Sequence, residues 1–154
     1  MSPAENVGAE QANPPSETGW EHFAHDADIG VRGWGPSPEK AFEQAALALT
    51  RIVTDQEVRP LEEVKIVRTA PELELLLVEW LNAIIFEMAT RSMVFGRFEV
   101  TFDGTQCLAG RMWGEKLDVA RHLPAVEPKG ATYTALRVAR TPDGRWIAAC
   151  VIDV

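Results

Sequence analysis

Cysteine is scarce in this chain: Cys107 and Cys150 stand apart, with no CxxC pair and no Cys/His ligand spacing, which excludes a disulfide framework and a zinc ribbon. A reducing, cytoplasmic compartment fits such thiols. No run reaches the roughly 18 consecutive apolar residues of a membrane span; the nearest, Leu73 to Phe86, is broken by Glu74, Glu79 and Asn82, so no membrane association is expected. Basic residues are in deficit, with 15 Lys and Arg against 23 Asp and Glu and a net charge of −8, which argues against direct, sequence-independent gripping of nucleic acid. Any role near RNA would then be indirect, through another protein. GxSxG, P-loop, HExxH and Rossmann glycine patterns are all missing, so the standard nucleophilic, phosphate-cradling and metalloprotease mechanisms lack their parts. Met1 to Gly19 contains no Lys or Arg and no apolar stretch, which excludes a secretory signal. Its acids (Glu5, Glu10, Glu17) and prolines (Pro3, Pro14, Pro15) predict a disordered acidic tail over residues 1–19 and one domain over 20–154.

What is present suits an ordinary globular core: 46% hydrophobic and 25% charged residues. Ile29 to Trp34 alternates imperfectly, as a strand does. Ser37 is placed to cap and Pro38 to open a helix whose stripe is Phe42, Ala45, Ala46, Leu49 and Ile52, ending near Val53. Glu63 to Arg68 reads as a strand. After Pro71 comes the strongest helix, with Leu73, Leu76, Leu77, Trp80, Leu81, Ile84, Ile85 and Met88 at helical spacing. Phe98 to Phe102 and Cys107 to Trp113 flank Asp103-Gly104, a hairpin signature, and Ala131 to Ala139 and Trp146 to Asp153 flank Pro142-Asp143-Gly144 in a second. Two helices among these strands, without strict βαβ alternation, predict an α+β single domain: a mostly antiparallel sheet with the two helices packed against it.

Two clusters could carry chemistry. His25-Asp26-Ala27-Asp28 places an imidazole and two carboxylates just before a strand, and the sequence ends on Ile152-Asp153-Val154. If the last strand runs beside the Ile29 strand, Asp28, Asp153 and the terminal group of Val154 converge on one hard cation, Ca²⁺ or Mg²⁺; otherwise they are solvated acids. The second cluster is Gly114-Glu115-Lys116-Leu117-Asp118 with Arg121-His122, then Glu127-Pro128-Lys129, in the one long connection between strands. Long connections on a rigid scaffold are where binding residues gather, although a solvated charged loop has the same composition.

Order and spacing of four stretches resemble the archease family: His25-Asp26-Ala27-Asp28-Ile29-Gly30, Leu76 to Asn82, Gly114-Glu115 through Arg121-His122, and Glu127 to Tyr133 with the closing Ile152-Asp153-Val154. The likeness spans Trp20 to Val154. It implies an accessory protein, not itself an enzyme, that promotes guanylylation and repeated turnover of an RtcB-type RNA ligase in RNA repair or tRNA splicing. It further implies a divalent cation, described as calcium, held by Asp28, Asp153 and Val154, with Lys129 as a functional group and Glu127, Glu115, His25 and Asp26 around it. Two positions depart from the family pattern: Asp26, where Thr is common, adds an oxygen donor, and Gly130, where Ala is common, frees the loop.

Two other classes are compatible with the same residues. One is a stand-alone metal-dependent phosphoester hydrolase with Asp28 and Asp153 as ligands and His25 or Lys129 in proton transfer. The other is a chaperone-like binder using Trp34, Trp80 and Trp113, residues that equally suit a core.

Overall fold

The computed structural model describes residues 17–154, and its first element is a strand that no alternation announces. Strand β1, Gly19–His25, turns back through Asp26 and Ala27 onto β2, Asp28–Gly35. Asp26 adopts φ 52°, a left-handed backbone that Asp tolerates better than most residues. The apolar residues of β1, Trp20 and Phe23, lie three apart and so on opposite faces, which hides the strand from a period-two reading. The tail expected over Met1 to Gly19 lies, up to residue 16, outside the described residues. Beyond that point Glu17 meets Arg145 at 3.7 Å and Gly19 opens β1, so the described fold starts ahead of Trp20.

Helix α1, Pro38–Val53, has the bounds its local signals predict: the Ser37 hydroxyl accepts the Lys40 N–H at 3.2 Å, and Pro38 occupies the first turn. Its alanines let it lie close on β2. At Gly33 a Cβ would stand 2.3 Å from the Ala45 nitrogen, so backbone touches backbone there. After β3, Glu62–Thr69, comes α2, Leu73–Arg91, stopped by Ser92 in the left-handed region. Strands β4, Met93–Asp103, and β5, Cys107–Lys116, follow as a hairpin. β4 begins five residues ahead of the expected Phe98 because it passes through an irregularity between Phe95 and Arg97, where Gly96 lies against Val58. A short helix α3, Val119–His122, leads to β6, Gly130–Ala131, β7, Arg137–Arg140, and β8, Trp146–Asp153. The single strand expected over Ala131 to Ala139 is two strands. The chain turns between them, with Ala135 at φ 53° and the Leu136 N–H donating to the Tyr133 carbonyl at 3.3 Å.

The strands form two antiparallel sheets rather than one. The first has the order β1-β2-β8, with β6 and β7 both on the far edge of β8; the second is β3-β5-β4. Helix α1 packs on β2 and on β4, and α2 touches strands of both sheets, so the two long helices lie between the sheets and both bury their apolar faces. Trp80, Phe42, Phe95, Leu49 and Ile84 are fully buried in that layer. The Trp80 indole N–H donates to the Phe42 carbonyl at 3.1 Å, which satisfies a donor that burial would otherwise leave costly. Trp34 and Trp113 are only half-buried and belong to different sheets, so the three tryptophans form no common binding face. No helix among the described residues is long and apolar enough to cross a membrane.

Candidate functional site

Register brings the first candidate cluster together. His25 pairs with Asp28 across β1 and β2, and Gly130 pairs with Asp153 across β6 and β8. The β2–β8 ladder runs to Ile29 opposite Ile152; one step further sets Asp28 beside Asp153. Directly opposed residues in antiparallel strands project to the same face, so His25, Asp28 and Asp153 form a row across one end of the first sheet. Residues 28 and 154 are joined directly: the Val154 N–H donates to Asp28 Oδ1 at 3.3 Å. The Lys129 N–H donates to the Asp153 carbonyl at 2.7 Å, which brings the loop before β6 to the same corner.

Exposure and pairing distinguish these residues from the buried, ion-paired Glu115. Asp153, Lys129 and Glu127 are exposed, and Asp28 is half-buried. None of the four forms an ion pair among the described residues, whereas most of the other charged groups near the sheets do. His25 Nδ1 lies 3.8 Å from Asp26 Oδ2 at the turn, both side chains open to solvent. The tip thus presents two carboxylates without ion pairs and an imidazole along one edge, with the Lys129 backbone held beside them. For a cation the donors are oxygen: Asp28, Asp153 and the main chain of Val154. That set suits a hard ion such as Ca²⁺ or Mg²⁺ and not a soft one. No group of three or more His, Cys, Asp or Glu side chains able to hold a metal occurs among the described residues, so the side chains of the tip do not by themselves make a complete metal shell.

Asn82 on α2 supports the corner in a way that sequence alone does not announce. Its Oδ1 accepts the Ala131 N–H at 2.8 Å and its Nδ2 donates to the Ala131 carbonyl at 3.4 Å. A half-buried amide in an otherwise apolar helical stripe is the signal that could have marked it.

Glu115 is placed elsewhere. It stands on β5 with 3% of its surface exposed, and its carboxylate is saturated: it accepts the Arg59 N–H at 2.8 Å, Arg59 Nε at 2.9 Å, the Arg121 guanidinium, and His122 Nε2 at 3.0 Å. The Asp118 N–H donates to His122 Nδ1 at 2.9 Å, so that nitrogen is bare and Nε2 carries the hydrogen given to Glu115. The Arg121 bond, followed by those from Arg59 and His122, holds the Glu115 carboxyl far below the usual carboxylate range, against burial, which acts the other way. With no lone pair left for a ligand, Glu115 anchors the 54–61 loop and α3 to the second sheet. The Thr54 hydroxyl on the His122 carbonyl and the Ala125 N–H on the Val53 carbonyl, at 2.8 Å, continue that anchoring toward Lys129.

The fold and the tip define a small α+β protein with an open acidic corner built where β2 begins and β8 ends. Comparison with known proteins gives the class a family. Residues 20–154 match the archease protein family (MTH1598/TM1083). The chain is 40% identical over 141 residues to the protein archease of Pyrococcus furiosus, covering 88% of this chain and 98% of that one. It is 38% identical over 140 residues to that of Methanopyrus kandleri, covering 88% and 99%. The solution structure of Methanobacterium thermoautotrophicum protein 1598 superposes with a TM-score of 0.67 at 25% identity, covering 88% of this chain and 99% of that chain. A Thermotoga maritima crystal structure, described as an archease and possible chaperone, shares the fold with a TM-score of 0.57 at 20% identity. This chain belongs to the archease family.

Proposed function

We propose that this protein is a non-catalytic accessory factor of an RtcB-type RNA ligase, promoting guanylylation of the ligase's active-site histidine and its repeated turnover in RNA repair or tRNA splicing. The observation that carries the reading is the row of unpaired carboxylates, Asp28 and Asp153, presented beside Lys129 at an exposed sheet end. An acid without a partner ion is electrostatically unspent, and two adjacent ones repel until a cation or a cationic surface meets them.

Asp28, Asp153 and the main chain of Val154 would hold a divalent cation, which supplies charge neutralisation and a Lewis-acidic centre for a phosphate. The remaining chemistry belongs to this chain's own groups. Asp28 is tied by the Val154 N–H, which limits its rotamers; Lys129 is held at the corner by its own N–H on Asp153 and offers an ammonium to a nucleotide phosphate of the partner. Asn82 fixes the strand that follows Lys129. A net charge of −8 favours encounter with a cationic RNA-binding cleft, so association should slow as salt rises. A stand-alone hydrolase would have to complete a metal shell from the tip alone, and the side chains there supply too few ligands for that.

The test is single-turnover guanylylation of a purified RtcB-type ligase with GTP and divalent metal. The wild-type chain should accelerate it, while Asp28→Asn, Asp153→Asn and Lys129→Ala, all at positions outside the buried core, should fold normally and lose most of the acceleration. Equal acceleration by all four proteins would overturn the tip reading; phosphoester turnover by the protein alone would replace it with the hydrolase.

A further inference from the structure

The second sheet ends on a strand edge that the carboxylate row does not use. Among the described residues β3 pairs with β5 alone, so its other side is open. The ladder fixes which groups face out. The Ala70 N–H donates to the Gln106 carbonyl at 3.0 Å and, on the far side of β5, the Leu117 N–H donates to the Ser92 carbonyl at 2.9 Å. Antiparallel bonding alternates residue by residue, so the even-numbered residues of β3 bond to β5, and Glu63, Lys65 and Val67 turn N–H and C=O to the open side. The Val67 carbonyl agrees, accepting the Arg68 guanidinium at 2.8 Å. The other sheet edges differ. On β4 the Val100 N–H donates to Glu43 Oε2 at 2.9 Å and the Phe95 carbonyl accepts the Thr50 hydroxyl at 2.6 Å; β6 and β7 have two and four residues; β1 carries no Lys or Arg.

We propose that the β3 edge pairs antiparallel with the same edge of a second copy of this chain, joining the two three-stranded sheets across a two-fold axis at Val64. All the charges on the strand enter the choice of register. With Val64 opposite Val64 of the second copy, Glu63 faces Lys65 and Lys65 faces Glu63, and the two residues exchange main-chain hydrogen bonds in both directions. Leu61 and Val67, 64% and 60% exposed, then cover each other. On the opposite face Glu62 lies diagonal to Arg68 of the second copy. Existing pairs survive: Glu63 keeps Arg111 at 2.6 Å and Arg68 keeps Glu79 at 4.0 Å, while Lys65, exposed and without an ion pair among the described residues, gains one. Neighbouring registers fail. Centring on Lys65 opposes two ammonium groups, centring on Glu63 opposes two carboxylates, and centring on Ile66 sets Lys65 against Val67 and leaves Leu61 beyond the paired strand. A lysine within an edge strand ordinarily guards against pairing; here it excludes the register that opposes it to itself and favours the one that opposes it to Glu63. The contact is isologous, so it closes at two copies and leaves the tip of each free.

The test is sedimentation velocity on the full chain at concentrations up to about 1 mM, where a weak strand-edge contact is populated. Wild type should form a dimer. Lys65→Glu and Glu63→Lys, both at exposed positions, should each raise the dissociation constant at least about tenfold with an unchanged circular dichroism spectrum. An equal mixture of those two variants should recover the dimer, because one strand then carries Glu at both positions and the other Lys at both. In concentrated wild type, hydrogen exchange at the Glu63, Lys65 and Val67 amides should slow relative to dilute protein, since those are the N–H groups the second copy covers. A wild type that stays monomeric, a variant that dimerises as wild type does, or a mixture that stays monomeric overturns the proposal. A dimer without slowed exchange at those three amides places the contact on another face and overturns it as well.

Discussion

Glu115→Gln is the substitution from which the structure predicts most. The two side chains are nearly isosteric, so packing is retained and only charge and hydrogen-bond polarity change. Both carboxylate oxygens face donors: one receives Arg59 Nε and Arg121, the other the Arg59 N–H and His122 Nε2. Whichever way the amide is turned, its NH₂ meets donors and leaves at least one buried hydrogen unpaired. Removing one partner from a fully buried ionic cluster costs roughly 3–5 kcal/mol. Arg59 and Arg121 keep 53% and 35% of their side-chain surface in solvent, which screens part of that, so about 2 kcal/mol is expected here. At roughly 2–4 °C per kcal/mol for a chain of this size, the melting temperature at pH 7 should fall by about 4–8 °C. The pH dependence has a definite sign. A carboxyl lowered by folding stabilises fully above its ordinary value of 4.5 and loses that contribution as pH falls toward its folded value, so the gap between wild type and variant should hold from pH 7 to about 4.5 and close below it. Paired thermal melts by circular dichroism across that range measure it, and other carboxylates cancel in the difference. A gap near zero at neutral pH, or one that stays constant into strong acid, would refute the assignment of Glu115 as a charged anchor.

Gly33→Ala should lower stability by about 2–3 kcal/mol in chemical unfolding, because the new methyl meets the Ala45 nitrogen and the Ala41 carbonyl oxygen, both backbone atoms that cannot step aside. Cys150, whose thiol burial pushes up to about 12, should resist alkylation at mildly alkaline pH in the native protein while half-buried Cys107 reacts; mass spectrometry should find one label per folded chain and two after denaturation. Ca²⁺ should raise the melting temperature by mass action and Asp28→Asn or Asp153→Asn should blunt the rise, as should residues appended after Val154, which crowd the corner; a shift unchanged in all three would remove the cation from the tip.

Local chemistry was the legible part of the fold. Ser37 and Pro38 act within one helical turn, so α1 could be bounded from its own residues, and the Leu73 to Met88 stripe carries its periodicity internally. What failed to show was nonlocal or broke its own pattern. β1 has no alternation because an edge strand with both faces partly wet is under little pressure to segregate its apolar residues, and β4 starts ahead of the expected Phe98 because a bulge absorbs Gly96 and lets the strand run on through it. That there are two sheets follows from which strands pair, and pairing is decided by helices filling the space between them, information that no single strand contains.

The same division runs through the site. Asp28 and Asp153 could be brought together only on the condition that the last strand joins the Ile29 strand; the Ile29–Ile152 pairing supplies that condition, across a separation along the chain that no motif encodes. Glu115 shows the converse. A glutamate next to a charged loop looks like a solvated or functional group, because sequence reports the loop's composition and not that β5 carries this residue under Arg59, Arg121 and the His122 ring. The two kinds of acid therefore divide by what faces them. Glu115 has spent its charge on holding the connection in place, and the connection in turn holds the Lys129 backbone against Asp153, whose carboxylate forms no ion pair among the described residues. An unpaired acid beside so firmly anchored a loop is free to exchange its hydration for a cation or a partner without a rearrangement of the fold, and that is the physical ground on which the proposed function is placed at the tip.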